Sequence, residues 1–283
     1  MLAAVAVFSV MDASMKRLTL AYPPAEVSCL RGLASIPVML LAVAWLGEWR
    51  SLLPVHWSTH ALRGMLGVGM LSLFVYSLQT LLLTEAYAIF LCAPLIVTAL
   101  SALLLREQVG WHRWLAIAAG LCGVMIMLKP SPAHFVSIGA AAAFGSALCY
   151  AFGALLIRTL AREESTLSVA FSFLLAVALA NGAVALPHWV TLQPSHWPWI
   201  AVIGVSGALG QFLMIQAFRS APPSIIAPFE YTALLWGLLL DWILWRTLPA
   251  QRTLIGGVVV TASGLYVIYR EHLRAAARPR GVA

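Results

Sequence analysis

The chain is a succession of long apolar segments separated by short polar breaks. A helix needs roughly 20 mostly apolar residues to cross a bilayer, and ten segments approach that length. They lie near residues 1–20, 26–46, 61–83, 86–105, 111–128, 136–157, 167–186, 197–218, 224–245 and 253–269. The breaks are short, as in REQVG at 106–110 and KPSPAH at 129–134. The pattern predicts an all-α integral membrane protein with ten transmembrane helices.

The composition narrows the class of protein further. Of the 283 residues, 62% are hydrophobic and 10% are charged, whereas soluble domains are near half apolar and about a quarter charged. The net charge is +7, but basic residues cluster only near the C-terminus, at Arg270, Arg274, Arg278 and Arg280. We therefore expect no nucleic-acid partner, and we interpret residues 271–283 as a basic cytoplasmic tail that faces anionic lipid.

Neither the first segment nor the cysteines indicate a secreted or metal-binding protein. The first segment has no basic n-region and no convincing small-x-small site, so we expect a retained helix rather than a signal peptide. The four cysteines lie inside apolar segments without a CxxC pair, which favours packing over a disulfide framework or a zinc site. His56 and His60 have the i, i+4 spacing of metal ligands but no third ligand beside them. No cofactor and no metal are expected.

A repeat at one fixed offset organises the chain. LLPVHWSTHALRGMLG at 52–67 aligns, 140 residues on, with LQPSHWPWIAVIGVSG at 192–207. The match places a Pro-x-His-Trp sequence and two later glycines in register. Each half then holds five predicted helices, and because five is odd the halves must enter the membrane with opposite orientation. Such inverted repeats are typical of secondary transporters, whose substrate site lies near the midplane. We predict a first repeat at 1–130 and a second at 131–270.

The distribution of basic residues predicts the orientation. With the N-terminus inside, eleven Lys and Arg residues fall on the cytoplasmic side. Six fall on the other side: Lys16, Arg17, Arg31, Lys129, Arg246 and Arg252. Cytoplasmic connections carry an excess of Lys and Arg, so both termini are predicted to be cytoplasmic.

Three sequences carry a resemblance to a known family. They are FSVMDASMKRL in the first segment, CLRGL in the second and APFEYTALLWGLLLDW in the ninth. Together they resemble the EamA-domain branch of the drug/metabolite transporter superfamily, over essentially the whole chain. The resemblance implies a bacterial inner-membrane protein with a central cavity lined mainly by helices 1–4 and 6–9, and helices 5 and 10 at the periphery. Members move amino acids, nucleotide sugars, vitamins and other polar metabolites, and many bacterial members are exporters. One departure concerns the ends of the fourth and ninth helices, where the resemblance implies an acidic residue in each. Glu107 ends the fourth helix, but the register-matched residue of the ninth is Thr247.

Two carboxylates interrupt the ninth segment. Glu230 lies about eight residues into it, roughly 12 Å along a helix, where a charge costs at least ~2.5 kcal/mol. We interpret Glu230 as a cavity carboxylate that binds a substrate ammonium or carries a proton, the alternative being a structural hydrogen bond to another helix. Asp241 shares the same helix face, and we interpret it as a solvated acid near the membrane interface.

Other polar residues inside the segments are candidate cavity residues. Asp12 and Lys16 have the i, i+4 spacing, acid first, that favours an intrahelical pair. This pair would either aid insertion or present a polar edge to the cavity.

The third segment carries a polar stripe of Ser72, Tyr76 and Gln79, which the repeat offset extends to Gln216 and Arg219 in the eighth. We predict a shared cavity for this stripe, with helix–helix hydrogen bonding as the alternative.

Three aromatic residues lie within segments rather than at their ends. Tyr150, Tyr231 and Trp236 are candidates for stacking on a substrate ring or capping a cation. Simple packing between helices is the alternative.

These features predict a secondary active transporter that exports a small polar metabolite, an amino acid or a related compound. It would work by alternating access around a midplane cavity, with Glu230 as the candidate proton-coupling residue. A membrane-embedded enzyme and a receptor or scaffold are the alternatives, but the chain has no HExxH, GxSxG or Walker motif. The expected partners are the substrate and the lipid bilayer, and a homodimer is compatible with them.

Overall fold

The computed structural model describes residues 1–46, 49, 57–104, 111–128, 137–160, 165–220 and 229–277. Each of the ten predicted segments contains helix, and no strand occurs in these ranges. The helices are α1 (Leu2–Leu18), α2 (Pro24–Leu46), α3 (Trp57–Leu78), α4 (Leu83–Phe90), α5 (Ala93–Leu104), α6 (Trp111–Leu128), α7 (Ile138–Leu160), α8 (Thr166–Ala185), α9 (Trp197–Ser220), α10 (Ala233–Leu240) and α11 (Gln251–Ala277). Pro54, Val55, His56, Glu107, Pro223, Pro228, Arg278 and Arg280 lie outside the described residues.

The fourth and ninth segments are both broken in the middle. In the fourth, Leu91 and Cys92 form a turn between α4 and α5. In the ninth, Tyr231 and Thr232 form a turn between Glu230 and the beginning of α10. The two turns are 140 residues apart, so the break falls at the same position of both halves. Pro94 explains the first break, because proline is accommodated in the first turn of a helix and disrupts a helix that runs through it.

Several helix contacts are preserved when each helix is replaced by its counterpart in the other half. Helix α1 packs against α9, and α3, the counterpart of α9, packs against α7, the counterpart of α1. In the same way, α2 packs against α9 and α3 packs against α8. The self-equivalent pairs α2 with α8 and α6 with α11 also form. Each of these contacts thus has an equivalent in which the two halves are exchanged.

Glycines allow these self-equivalent pairs to approach closely. A Cβ atom at Gly32 of α2 would lie 2.8 Å from the carbonyl oxygen of Leu174 in α8. One at Gly123 of α6 would lie 2.9 Å from the carbonyl oxygen of Gly256 in α11. Small residues at helix interfaces are the usual basis of close packing in membranes. Gly123 and Gly256 thus form a close-approach surface between α6 and α11.

The outer surface suits a lipid environment. Four described helices are long and apolar enough to cross a membrane by length and composition alone: Pro24–Trp45, Ala61–Leu78, Leu167–His188 and Pro194–Ala217. Shorter apolar helices cover Leu83–Val97, Trp114–Ile126, Ile138–Gly153 and Ala233–Trp245. Large apolar side chains face outward from several of them, including Leu41 at 71%, Leu179 at 66% and Leu235 at 69% exposure. All ten predicted segments contain helix among the described residues, and their crossing of the membrane with alternating direction stays a prediction.

Candidate functional site

A central cavity of about 230 Å3 lies between the two halves. Side chains from α1, α2, α3, α4, α7, α8 and α9 line it, together with Glu230 and Ala233 on either side of the break in the ninth segment. Neither α6 nor α11 contributes a lining residue. Helices α6 and α11 are the fifth and tenth predicted segments. The lining therefore agrees with the family resemblance, which implies that these two segments lie at the periphery. Phe90 and Glu230 occupy equivalent positions, each the last helical residue before its break, and both line the cavity.

One charged cluster centres on Asp12 of α1. Its Oδ2 accepts a hydrogen bond of 2.8 Å from the Tyr87 hydroxyl of α4. Arg31 of α2 also lines the cavity and is 4% exposed. Its Nε donates to the sulfur of Met11 at 3.3 Å, and its guanidinium lies 5.4 Å from the centroid of the Phe173 ring. Its Nη1 is buried and has no hydrogen-bond partner within the described part of the chain.

A second charged cluster centres on Glu230. The Tyr150 hydroxyl of α7 donates a hydrogen bond to its carboxylate. Glu230 is half-buried, and the turn that follows it places its side chain at the cavity wall. The hydroxyl of Thr232 in that turn donates to the carbonyl oxygen of Phe229 at 2.6 Å, which closes the end of the helical turn.

Aromatic rings connect the two clusters. Tyr87, which binds Asp12, stacks on Phe74 with centroids 5.9 Å apart. Phe74 meets Phe90 edge to face at 5.6 Å, and Phe90 meets Tyr150 in the same way at 5.3 Å. Tyr150 in turn binds Glu230. The cavity therefore has an aromatic wall with a carboxylate at each end.

The structure separates Lys16 from Asp12 and corrects the expected intrahelical pair. Lys16 Nζ lies 3.0 Å from Asp241 Oδ1 and 4.5 Å from the centroid of the Trp245 ring. Within the described ranges this is the one ion pair at 4.0 Å or less. Helix-surface spacing governs exposed pairs on isolated helices, whereas here Lys16 is buried against another helix. Lys16 is not among the residues that line the cavity.

Asp241 is fully buried, so its interpretation as a solvated interfacial acid is wrong. Besides Lys16, its carboxylate accepts hydrogen bonds from the Leu83 and Thr84 amides at 3.1 and 2.8 Å, and from the Thr84 hydroxyl at 2.8 Å. These amides begin α4 and have no partner within the helix. A carboxylate at a helix N-terminus is favoured by the helix dipole as well. Asp241 thus joins the ninth segment to the beginning of the fourth.

Further contacts join the helices at the end of the bundle where Lys16 pairs with Asp241. The Tyr22 hydroxyl lies 2.8 Å from His196 Nδ1 and accepts from the Gln193 amide at 2.9 Å. Glu26 Oε2 accepts from the Val190 amide at 3.0 Å. The cavity instead extends to Met1, at the beginning of α1 and the opposite end of the bundle.

The remaining predicted site residues lie away from the cavity or outside the description. Tyr76 is 39% exposed and Gln79 is exposed, while Ser72 of the same stripe donates to Asn181 of α8 at 2.6 Å. This is the helix–helix bonding that was the alternative for the stripe.

The other predicted site residues also lie away from the cavity or have no described side chain. Gln216 is exposed, Tyr231 is buried against Gly264 of α11, and Trp236 does not line the cavity. The side chain of Arg219 is not among those described. Of the predicted set, Asp12, Tyr150 and Glu230 line the cavity.

Sequence reasoning missed several polar lining residues, among them Arg31, Arg63, Tyr87, Ser146 and Gln211. Arg31 and Arg63 were counted as charges in connections, yet both fall within predicted segments. Arg63 donates to the Val169 carbonyl oxygen at 3.4 Å. The signal that was available is the cost of a charge inside an apolar segment, which was applied to the carboxylates and not to the arginines.

A bundle of paired helices around a central charged cavity is an architecture typical of membrane transporters. Comparison with known proteins identifies the class more closely. The EamA-like transporter family model matches residues 1–129 and 137–270. The chain belongs to the EamA-like transporter family.

Characterised relatives carry different cargoes. The chain is 28% identical over 264 residues to a riboflavin transporter of Vibrio cholerae, covering 92% of this chain and 88% of that one. It is 26% identical over 246 residues to an S-adenosylmethionine uptake transporter of Rickettsia prowazekii, covering 87% and 83%. It is 26% identical over 261 residues to a pseudopaline exporter of Pseudomonas aeruginosa, covering 90% of each. A crystal structure with 19% identity superposes with a TM-score of 0.69 over 95% of this chain and 98% of the other, which shows the fold alone.

Proposed function

We propose that the protein is a secondary active transporter that exports a small polar metabolite by alternating access. The observation that carries the proposal is the cavity between the two exchange-related halves, with Asp12 and Glu230 at the two ends of an aromatic wall. A cavity that is open at one end and closed at the other is one of the two states that alternating access requires. The relatives support a small-molecule substrate through their names.

The two halves, 1–130 and 131–270, would be inverted repeats with both termini in the cytoplasm. The equivalent breaks and the exchange-related packing support the repeat. Two of the six basic residues assigned to the outer side, Lys16 and Arg31, are buried within helices, which increases the predicted excess on the cytoplasmic side. In this orientation the cavity faces the cytoplasm, as an exporter needs for loading.

Labelling of single cysteines in intact cells tests the inversion. Ser195, which is exposed, and Val55 stand at register-matched positions of the two halves. A membrane-impermeant maleimide applied from outside should label Ser195→Cys and leave Val55→Cys unlabelled until the cells are permeabilised. Labelling of both before permeabilisation contradicts an inverted repeat.

Glu230 would couple transport to protons. A carboxylate that lines the cavity and has one tyrosine partner can hold a proton in one state and exchange it for a substrate ammonium in the other. Transport by proteoliposomes measured between pH 5.5 and 8 tests this role. The proposal expects a pH-dependent rate that becomes flat in Glu230→Gln. A variant with the wild-type rate and pH profile contradicts it.

A further inference from the structure

The most unusual group in the cavity is the guanidinium of Arg31. The side chain is 4% exposed, and its Nη1 is buried without a hydrogen-bond partner among the residues that the structure describes. No carboxylate among the described residues lies within ion-pair distance of it. A buried charge without a partner is costly, so such groups are normally paired. An arginine kept in this condition at a cavity wall needs another reason to be there.

The neighbours of Arg31 leave its bonding capacity free. Nε uses the sulfur of Met11, a weak acceptor, and the ring of Phe173 supports the guanidinium plane. Asp12 attracts Arg31 electrostatically, but its Oδ2 is occupied by the Tyr87 hydroxyl. Asp12 therefore offsets the positive charge of Arg31 without forming an ion pair with it. The guanidinium keeps a hydrogen-bond donor for an incoming anion.

We propose that Arg31 binds the carboxylate of the substrate, and that the substrate is a zwitterion in which an amino-carboxylate is attached to a planar ring. The proposal rests on the transporter function proposed above. The planar, fork-shaped guanidinium is suited to a carboxylate, which it binds through two parallel hydrogen bonds. The rings from Tyr87 to Tyr150 contact the planar part of the substrate.

The charges of the cavity favour a carboxylate over a phosphate. Asp12 and Glu230 line the same cavity as Arg31 and Arg63, so two negative groups offset two positive ones. A monoanionic carboxylate carried together with an ammonium leaves this balance unchanged. A phosphate monoester carries about 1.5 to 2 negative charges at neutral pH, and would be repelled by both acids.

Matched ligands can isolate the contribution of the carboxylate. The probes are L-phenylalanine, L-tryptophan and S-adenosylmethionine, each beside the analogue in which the carboxylate is an amide or is absent. Riboflavin, which has no ionised carboxylate, serves as the neutral probe. Binding is measured by calorimetry on the full chain in nanodiscs, and transport of the same compounds is measured in proteoliposomes. The variants are Arg31→Gln, Arg31→Lys and, as a matched control, Arg17→Gln on the exposed face of α1.

The proposal expects at least one zwitterion to bind and its carboxylate-free analogue to bind much more weakly. Arg31→Gln should weaken binding of the zwitterion by about 10- to 100-fold, the range for hydrogen bonds to charged groups. It should change binding of the analogue by less than about threefold, since the interacting group is already missing. Arg31→Lys should recover part of the loss because it restores the charge without the fork. Arg17→Gln should bind every probe like the wild type.

Two results overturn the assignment while the transporter function stands. One is transport of riboflavin or a carboxylate-free analogue with no binding of any zwitterion. The other is an equal loss for zwitterion and analogue in Arg31→Gln, which would make Arg31 a structural residue. If Arg31→Gln does not fold, the ratio between the two ligands in Arg31→Lys decides. Failure of the wild-type protein to bind any of the zwitterions also overturns the assignment, whereas the proposed function is tested separately by the pH dependence of transport in Glu230→Gln.

Discussion

The two ends of the bundle differ in how completely their charged groups are paired. At the closed end, Asp241 accepts four hydrogen bonds and Lys16 has both a carboxylate and an aromatic ring. In the cavity, among the described residues, Glu230 has one tyrosine partner and the Nη1 of Arg31 has no hydrogen-bond partner. The two carboxylates of one predicted helix therefore have different environments. Complete pairing indicates a structural role, and incomplete pairing beside a cavity indicates a group reserved for a ligand.

The largest expected effect comes from breaking the closed end. Asp241→Ala removes all four acceptor contacts and leaves Lys16 charged and buried without its carboxylate. Loss of one member of a buried pair costs about 3 to 5 kcal/mol, so we expect a large fall in thermal stability of the purified protein. Glu85→Gln is the matched control, because Glu85 is half-buried and accepts from the Leu82 amide and the Thr253 hydroxyl at 3.2 and 3.3 Å. Equal stability of both variants would show that the Lys16–Asp241 pair does not hold the closed end.

In contrast to Asp241→Ala, Glu230→Gln should lower transport and leave thermal stability almost unchanged. The amide keeps the shape of the side chain and removes its charge, so we expect transport to fall by roughly tenfold or more, the value of one charged hydrogen bond. Thermal stability should change little, since Glu230 has one described side-chain partner. Transport in proteoliposomes and a melting curve on the same preparation measure the two quantities. A large loss of stability with unchanged transport would give Glu230 the same structural role as Asp241.

Tyr22→Phe should weaken the closed end to a smaller degree. The change removes the hydroxyl that bridges His196 and the Gln193 amide, at a cost of about 1 kcal/mol for a neutral hydrogen bond. We expect a modest fall in melting temperature and little effect on substrate binding, because Tyr22 does not line the cavity. A strong effect on substrate affinity would contradict the separation of the two ends.

The smallest expected effect is that of Tyr76→Ala. Tyr76 is 39% exposed and lies outside the cavity lining, so transport should remain within about twofold of wild type, as for a surface substitution. Gln211→Ala is the comparison variant, because Gln211 is 8% exposed and lines the cavity. Equal losses of transport in the two variants would indicate that the polar stripe of α3 faces the cavity.

The fold could be predicted from the sequence because lipid imposes simple rules. Apolar segments of spanning length must be helices, and the 140-residue offset that aligns Trp57 with Trp197 also relates the breaks at Leu91 and Tyr231. Glu230 could be identified because a charge at that depth is rarely without a function.

The partners of the charged side chains could not be predicted in the same way. Lys16 and Asp241 are 225 residues apart, and the pairing depends on how helices from different halves pack. Local spacing favoured Asp12 as the partner of Lys16. The role of Arg31 was hidden for a related reason: the orientation count assigns Arg31 to the outer side of the membrane, although it lies inside the predicted segment 26–46 and is buried in α2.

Labelling of Cys149 tests the central claim, which is that the cavity opens only at the end that contains Met1. Cys149 lines the cavity, and in a Cys122→Ser background it is the one cysteine besides the buried Cys29 and Cys92. A membrane-impermeant maleimide should label it in inside-out vesicles and not in right-side-out vesicles. Asp241→Ala should add labelling from the outer side. Labelling of the wild-type protein from the outer side alone, or equally from both sides, would contradict a cavity that is sealed by the Lys16–Asp241 end.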